Sequence, residues 1–112
     1  MMIKILIAEK FSKTPFGRFA SDSPNSAERF RKEYLVPAFQ GKEQDVEIDF
    51  SGISLGIGSS FLEEAFGGLV RKEGLSKERI MRNLRIKSPL PIYEQQIKKF
   101  VENAKPEVGK VR

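Results

Sequence analysis

Between Gly56 and Leu69 the sequence reads GIGSSFLEEAFGGL, with two serines directly ahead of an apolar helical pattern and glycines on either side. Hydroxyls and amides in that setting have three uses. A serine oxygen can accept an amide hydrogen bond and cap the helix. Free amides at the helix start can hold a phosphate group. The hydroxyl can itself take a phosphoryl group, whose charge the helix dipole favours. The nucleotide loop is the weakest of these: Gly56 and Gly58 match G-x-G, but Phe61 stands where a third glycine is needed, and no lysine follows as in a P-loop. Glu63 and Glu64, in the opening turn, complement the dipole and would repel a phosphate placed beside them.

Two further groups of residues carry chemistry. Glu47 and Asp49 alternate with apolar Val46, Ile48 and Phe50, so a strand puts both carboxylates on one face, where they form a solvated acidic patch or an acid–base pair. No nucleophile or oxyanion group accompanies them. The second group is basic. Residues 1–70 carry eight Lys and Arg against ten Asp and Glu, whereas residues 71–112 carry twelve against five, so the net charge of +5 belongs to the C-terminal third. Arg71, Lys72, Arg79, Arg82, Arg85 and Lys87 are the candidates there for contacts with nucleic-acid phosphates, but few aromatic residues interleave with them.

Composition narrows the chemistry. The chain has neither cysteine nor histidine, which excludes zinc fingers, thiol proteases and Ser-His-Asp hydrolases. A hard cation held by oxygen atoms stays open. We expect no catalytic residue, no metal and no cofactor. The longest apolar run, Ile5 to Ala8, is far too short to span a bilayer, so the expected location is the cytoplasm and no membrane association is expected.

The elements that must position these residues follow from periodicity. MMIKILIA is a first strand, with apolar residues on both faces, as expected of an interior strand. FGRF is a short candidate strand within a turn-rich connection. A helix starts at Ser23 or Pro24, buries Ala27, Phe30, Tyr34 and Ala38, turns Arg31 largely to solvent, and ends or kinks near Leu35 or Val36 because of Pro37. VEIDF is a strand and Gln40 to Asp45 a polar loop. Phe61, Leu62, Ala65, Phe66, Leu69 and Val70 form the stripe of a second helix, stopped by Gly74, with Gly67 and Gly68 letting it pack closely on the sheet. Ser76 caps a short helix, LRIKS is a strand, and IYEQQIKKFVENA is a last amphipathic helix. The expected fold is a single small α/β domain over residues 1–105, a central mixed sheet of about four strands with three main helices, followed by a flexible tail at 106–112.

Within that order, VEIDFSGISLGIGSSFLEEAFGGLV resembles the central segment of STAS-type domains: a strand ending in an acidic residue, a short loop, then serines opening an amphipathic helix. With SPNSAERFRKEYLVPAF before it and SSFLEEAFGGLVRKEG after it, the longer pattern, from Arg18 to Ser88, resembles the small STAS-like domains classed as a family of unknown function. The resemblance extends distantly to the anti-sigma-factor antagonists. It implies a non-catalytic, regulatory protein-interaction domain whose helix-opening serine is phosphorylated by an ATP-binding kinase-type partner. On that alignment Ser59 corresponds to the phosphorylated residue and Ser60 to its neighbour, while Gly58 takes the place of an aspartate. Gly56, Ile57, Gly58, Phe61, Glu63 and Glu64 become the expected docking surface. The alternative is a nucleic-acid-binding module using the basic segment from Arg71 to Lys87.

Overall fold

The computed structural model describes residues 2–40, 43–54 and 56–107. Three short strands, β1 (Met2–Leu6), β2 (Asp45–Asp49) and β3 (Leu84–Lys87), form one parallel sheet in the order β1-β2-β3. Among the described residues five helices accompany them: α1 (Ile7–Lys10), α2 (27–39), α3 (59–71), α4 (Lys77–Asn83) and α5 (Pro91–Asn103). The single α/β domain expected from sequence is present. The expected mixed sheet of about four strands is corrected to three parallel strands; the three main helices are present as α2, α3 and α5, with the expected short helix as α4 and the single turn of α1 added.

Register explains the layering. Ile3 pairs with Val46 and Ile5 with Ile48, and these two β2 residues pair in turn with Leu84 and Ile86. All six side chains therefore share one face, which the helices cover. With right-handed crossovers, two successive moves in the same direction across a sheet put both connections on one side. The opposite face carries Lys4, Glu47 and Arg85 in one row and Leu6, Asp49 and Lys87 in the next. Parallel sheets are usually covered on both faces; here the second face is polar.

β1 lies at the edge of the sheet, not in its interior. The strand also ends sooner than expected, because Ile7 begins the single turn of α1. FGRF forms no strand. Instead Gly17, at φ +90°, turns the chain so that its carbonyl accepts the Ala27 amide at 2.8 Å, while the Arg18 carbonyl accepts the Glu28 amide at 2.9 Å. The cap of α2 is Ser26, whose hydroxyl accepts the Arg29 amide, and not Ser23 or Pro24.

Of the end or kink expected near Leu35 or Val36, the end does not occur and an irregularity takes its place. Residues 31–35 widen into a π turn in which the Val36 amide bonds to the Arg31 carbonyl, five residues back. That register change lets α2 continue past Pro37, which cannot serve the ordinary i→i−4 ladder. α3 contains a second π turn at 63–67. Its stripe is buried as expected, against Phe30, Leu35 and Phe39 of α2, Val46 and Ile48 of the sheet, and Ile97 and Val101 of α5. Gly74, at φ +71°, terminates the α3 region as foreseen. The polar loop at Gln40 to Asp45 includes positions 41 and 42, and the expected tail includes 108–112; those positions lie outside the described residues.

Candidate functional site

The helices α2 and α3 each open beside a serine, and these two openings differ. At the start of α2 the first amides are occupied by the Gly17 and Arg18 carbonyls and by the Ser26 hydroxyl. At the start of α3 the N-cap is Gly58, at φ −75° and ψ 157°, which offers no side chain. The expected capping role of Ser59 is thus corrected: Ser59 and Ser60 are the first two helical residues. Both are exposed, and neither hydroxyl makes a hydrogen bond among the described residues. The amides of Ser59, Ser60 and Phe61 likewise find no acceptor among the described residues. The loop before them is fixed by the Ile57 amide, which donates to the Tyr93 hydroxyl at 3.0 Å, and the Tyr93 ring packs in turn, tilted, against Phe50, with ring centroids 5.1 Å apart.

The remaining residues of the expected docking surface divide. Gly56 and Gly58 are exposed with Ser59 and Ser60, whereas Ile57, Phe61 and Glu64 are buried and Glu63 is partly so. Ile57 and Phe61 belong to the core, where Phe61 packs near Phe30, ring centroids 6.2 Å apart.

Glu64 is only 2% exposed and faces Arg31, itself 2% exposed. Arg31 donates to the Glu64 carboxylate at 2.8 Å, to the Glu64 carbonyl at 2.7 Å and to Glu73 at 2.9 Å. The carbonyl is available because the π turn hands the Gly68 amide to Glu63 instead. Gly68 makes the room: a Cβ there would collide with the Arg31 guanidinium and lie 3.1 Å from Arg31 Cδ. Gly67 and Gly68 therefore permit close approach to Arg31 on α2 and to the Phe100 carbonyl on α5, not to the sheet. Arg18 and Arg71 complete the cluster. Arg18 reaches Glu63 at 2.7 Å and Glu64 at 3.1 Å, and Arg71 bonds to both carboxylates. Burial pushes the Glu63 carboxyl up, but hydrogen bonds from Arg71 and Arg18 outweigh it and hold the group below the usual carboxylate range. Three arginines thus balance three glutamates within the cluster, and little of the negative charge of Glu63 and Glu64 is left uncompensated toward the start of α3.

Sequence reasoning missed Arg31, placing it at the surface, because its partners come from 33 and 42 residues away. The available signal was Gly67-Gly68 in the middle of an apolar stripe, which marks a site where something bulky comes close.

Most of the basic candidates are engaged with carboxylates. Arg71 forms ion pairs with Glu63 and Glu64, Lys72 with Glu107 at 2.7 Å, Arg82 with Glu43 at 2.6 Å, Arg85 with Asp45 at 3.6 Å, and Lys87 with Asp49 at 3.9 Å. Arg79 is half-buried. Glu47 and Asp49 do share a face, but they are spaced along charged rows. Glu47 sits between Lys4 and Arg85 in register. Asp49 accepts the Ser51 amide at 2.8 Å; burial raises its pKa, while hydrogen bonds from Ser51 and the nearby Lys87 bring it below the usual value. The pair is spent on a turn and on sheet rows. Among the described residues no group of three or more acidic side chains is placed to hold a metal ion, and no helix is long and apolar enough to cross a membrane.

Residues 26–90 match the family model described as a STAS-like domain of unknown function (DUF4325). No curated protein and no solved structure matches the chain.

Proposed function

Since the chain belongs to the STAS-like domains of unknown function, we propose that it is a non-catalytic regulatory domain that docks a protein partner at the open start of α3. The partner class that the resemblance implies is an ATP-binding kinase-type regulator, with Ser59 as the phosphoryl acceptor and Gly56 to Ser60 as the face it reads. One contrast carries this reading. The start of α2 is closed by the chain's own groups, while the start of α3 presents two hydroxyls and three amides that have no hydrogen-bond partner among the described residues. A phosphoryl group on Ser59 would bring about −1.5 to −2 charges to amides able to receive them. Gly58 adds no competing charge, and Arg18, Arg31 and Arg71 hold the neighbouring carboxylates.

The test combines the protein with a purified ATP-binding kinase candidate and ATP, then measures intact mass. We expect a gain of one phosphoryl group that Ser59→Ala removes and Ser60→Ala keeps. A gain untouched by either substitution, or none at all, sinks the phospho-acceptor assignment. Docking is measured separately: equal affinity of wild type and Ser59→Asp for the same partner sinks the use of this face.

The nucleic-acid alternative has less support. Five of its six named residues already face carboxylates of this chain. A duplex titration at two salt concentrations decides it, since phosphate contacts lose affinity steeply with salt.

A further inference from the structure

The free edge of β1 borders a groove of about 320 Å³ between that strand and α2. Its floor is apolar, made by Ile3, Ile5, Tyr34, Pro37 and Ala38, with Lys4 and Lys10 on the rim. Glu33, the acidic residue at the groove, is drawn to Arg29 at 3.0 Å. The backbone groups of β1 that point away from β2 have no partner among the described residues.

We propose that this edge takes up an extended acidic segment of a partner protein by strand addition, with apolar and acidic residues alternating along it. Two features of the sheet specify that chemistry. A strand laid outside β1 must send alternate side chains to the face shared by Ile3 and Ile5, where the groove is apolar. Its intervening side chains join the opposite face, beside exposed Lys4. The charges there alternate across the sheet from Lys4 to Glu47 to Arg85, so a carboxylate outside Lys4 continues the row. The β2 sequence, with Val46, Glu47, Ile48 and Asp49, already meets β1 in this way. A second copy of β1 is a poor occupant: in the antiparallel register that pairs all five of its residues, Lys4 falls opposite Lys4, and like charges so placed repel.

This inference is independent of Ser59. The probe is a labelled synthetic peptide with the sequence QDVEIDF, residues 44–50 of this chain, titrated at low salt and followed by anisotropy. We expect saturable binding and slowed amide exchange in residues 2–6. Lys4→Gln should weaken binding, and Lys4→Glu should weaken it by roughly three- to tenfold, as expected for loss and reversal of one cross-strand charge pair. A peptide with lysine in place of its central glutamate should recover affinity for Lys4→Glu. Methylating alternate peptide nitrogens should abolish binding, and Ser59→Ala should leave it unchanged. Circular dichroism confirms that each variant is folded.

Absence of binding at millimolar peptide overturns the proposal and leaves Lys4 as a charge that keeps the edge unpaired. Affinity indifferent to Lys4 or to nitrogen methylation overturns it as well. A concentration-dependent dimer of the protein alone that protects residues 2–6 would replace the partner segment with a second copy.

Discussion

Ser26 and Ser59 both stand at the opening of a long helix, yet only Ser26 spends its hydroxyl on the fold. Replacing Ser26 with alanine removes the bond to the Arg29 amide from a buried position and should cost about 1 kcal/mol. Ser59→Ala, at an exposed position with no bond to lose, should fall within about 0.5 kcal/mol of wild type. Urea unfolding of the two variants checks this; equal losses would return Ser59 to the role of a cap. Glu63 adds a pH dependence. Its folded pKa lies below its unfolded value, so its contribution is complete above the unfolded pKa and is lost as pH falls through the folded one. Arg71→Met removes one cause of that depression. The stability gap between wild type and Arg71→Met should be widest above about pH 5 and narrow on acidification. A gap of constant size from neutral to acid pH would show that Arg71 acts through packing alone.

The facing π turns of α2 and α3 make one device: the first contains Arg31, the second contains Glu64, and Gly68 leaves space between them. Gly68→Ala tests it, because helix propensity and packing predict opposite signs. Alanine gains about 1 kcal/mol as a helix former, while displacing Arg31 from a buried ion pair costs about 3–5 kcal/mol. A net loss of roughly 2–4 kcal/mol is expected in denaturant titration; a more stable variant would show that Arg31 moves aside freely. The apolar stripe of α3, the alternation of β2 and the Gly74 stop were legible in the sequence, because each is a local pattern with a local cause. The ion cluster was not, since charge and spacing alone made Arg31 one more surface residue of α2. Nor was the choice between an end and a kink at Pro37, which is settled by a register change at 31–35 that leaves no residue signature of its own. At the candidate site the serines, the glycines and the inward stripe that begins at Phe61 were visible, but not that Gly58 would be the cap, nor that Ile57 and Glu64 would turn inward.

At the scale of the molecule, the family match at 26–90 omits three elements that the core requires, among them α1 with its fully buried Ile7. β1 supplies Ile5 and one side of the sheet ladder, and α5 supplies fully buried Ile97 and Val101. A fragment restricted to 26–90 should therefore show no cooperative thermal transition by circular dichroism, whereas the whole chain should unfold as one unit; a cooperative fragment would mean that α2, α3, α4 and two strands suffice. The radius of gyration, 13.0 Å, is that of a domain of about 100 residues. The separation of charge along the chain is largely cancelled in space, as Glu43, Asp45 and Asp49 meet Arg82, Arg85 and Lys87. The polar face of the sheet also offers an attachment point. Because the chain has no cysteine, one thiol introduced there, at exposed Lys87, would be unique. A dye on it could report from outside the core on events at both the β1 edge and the α3 opening, without occupying either.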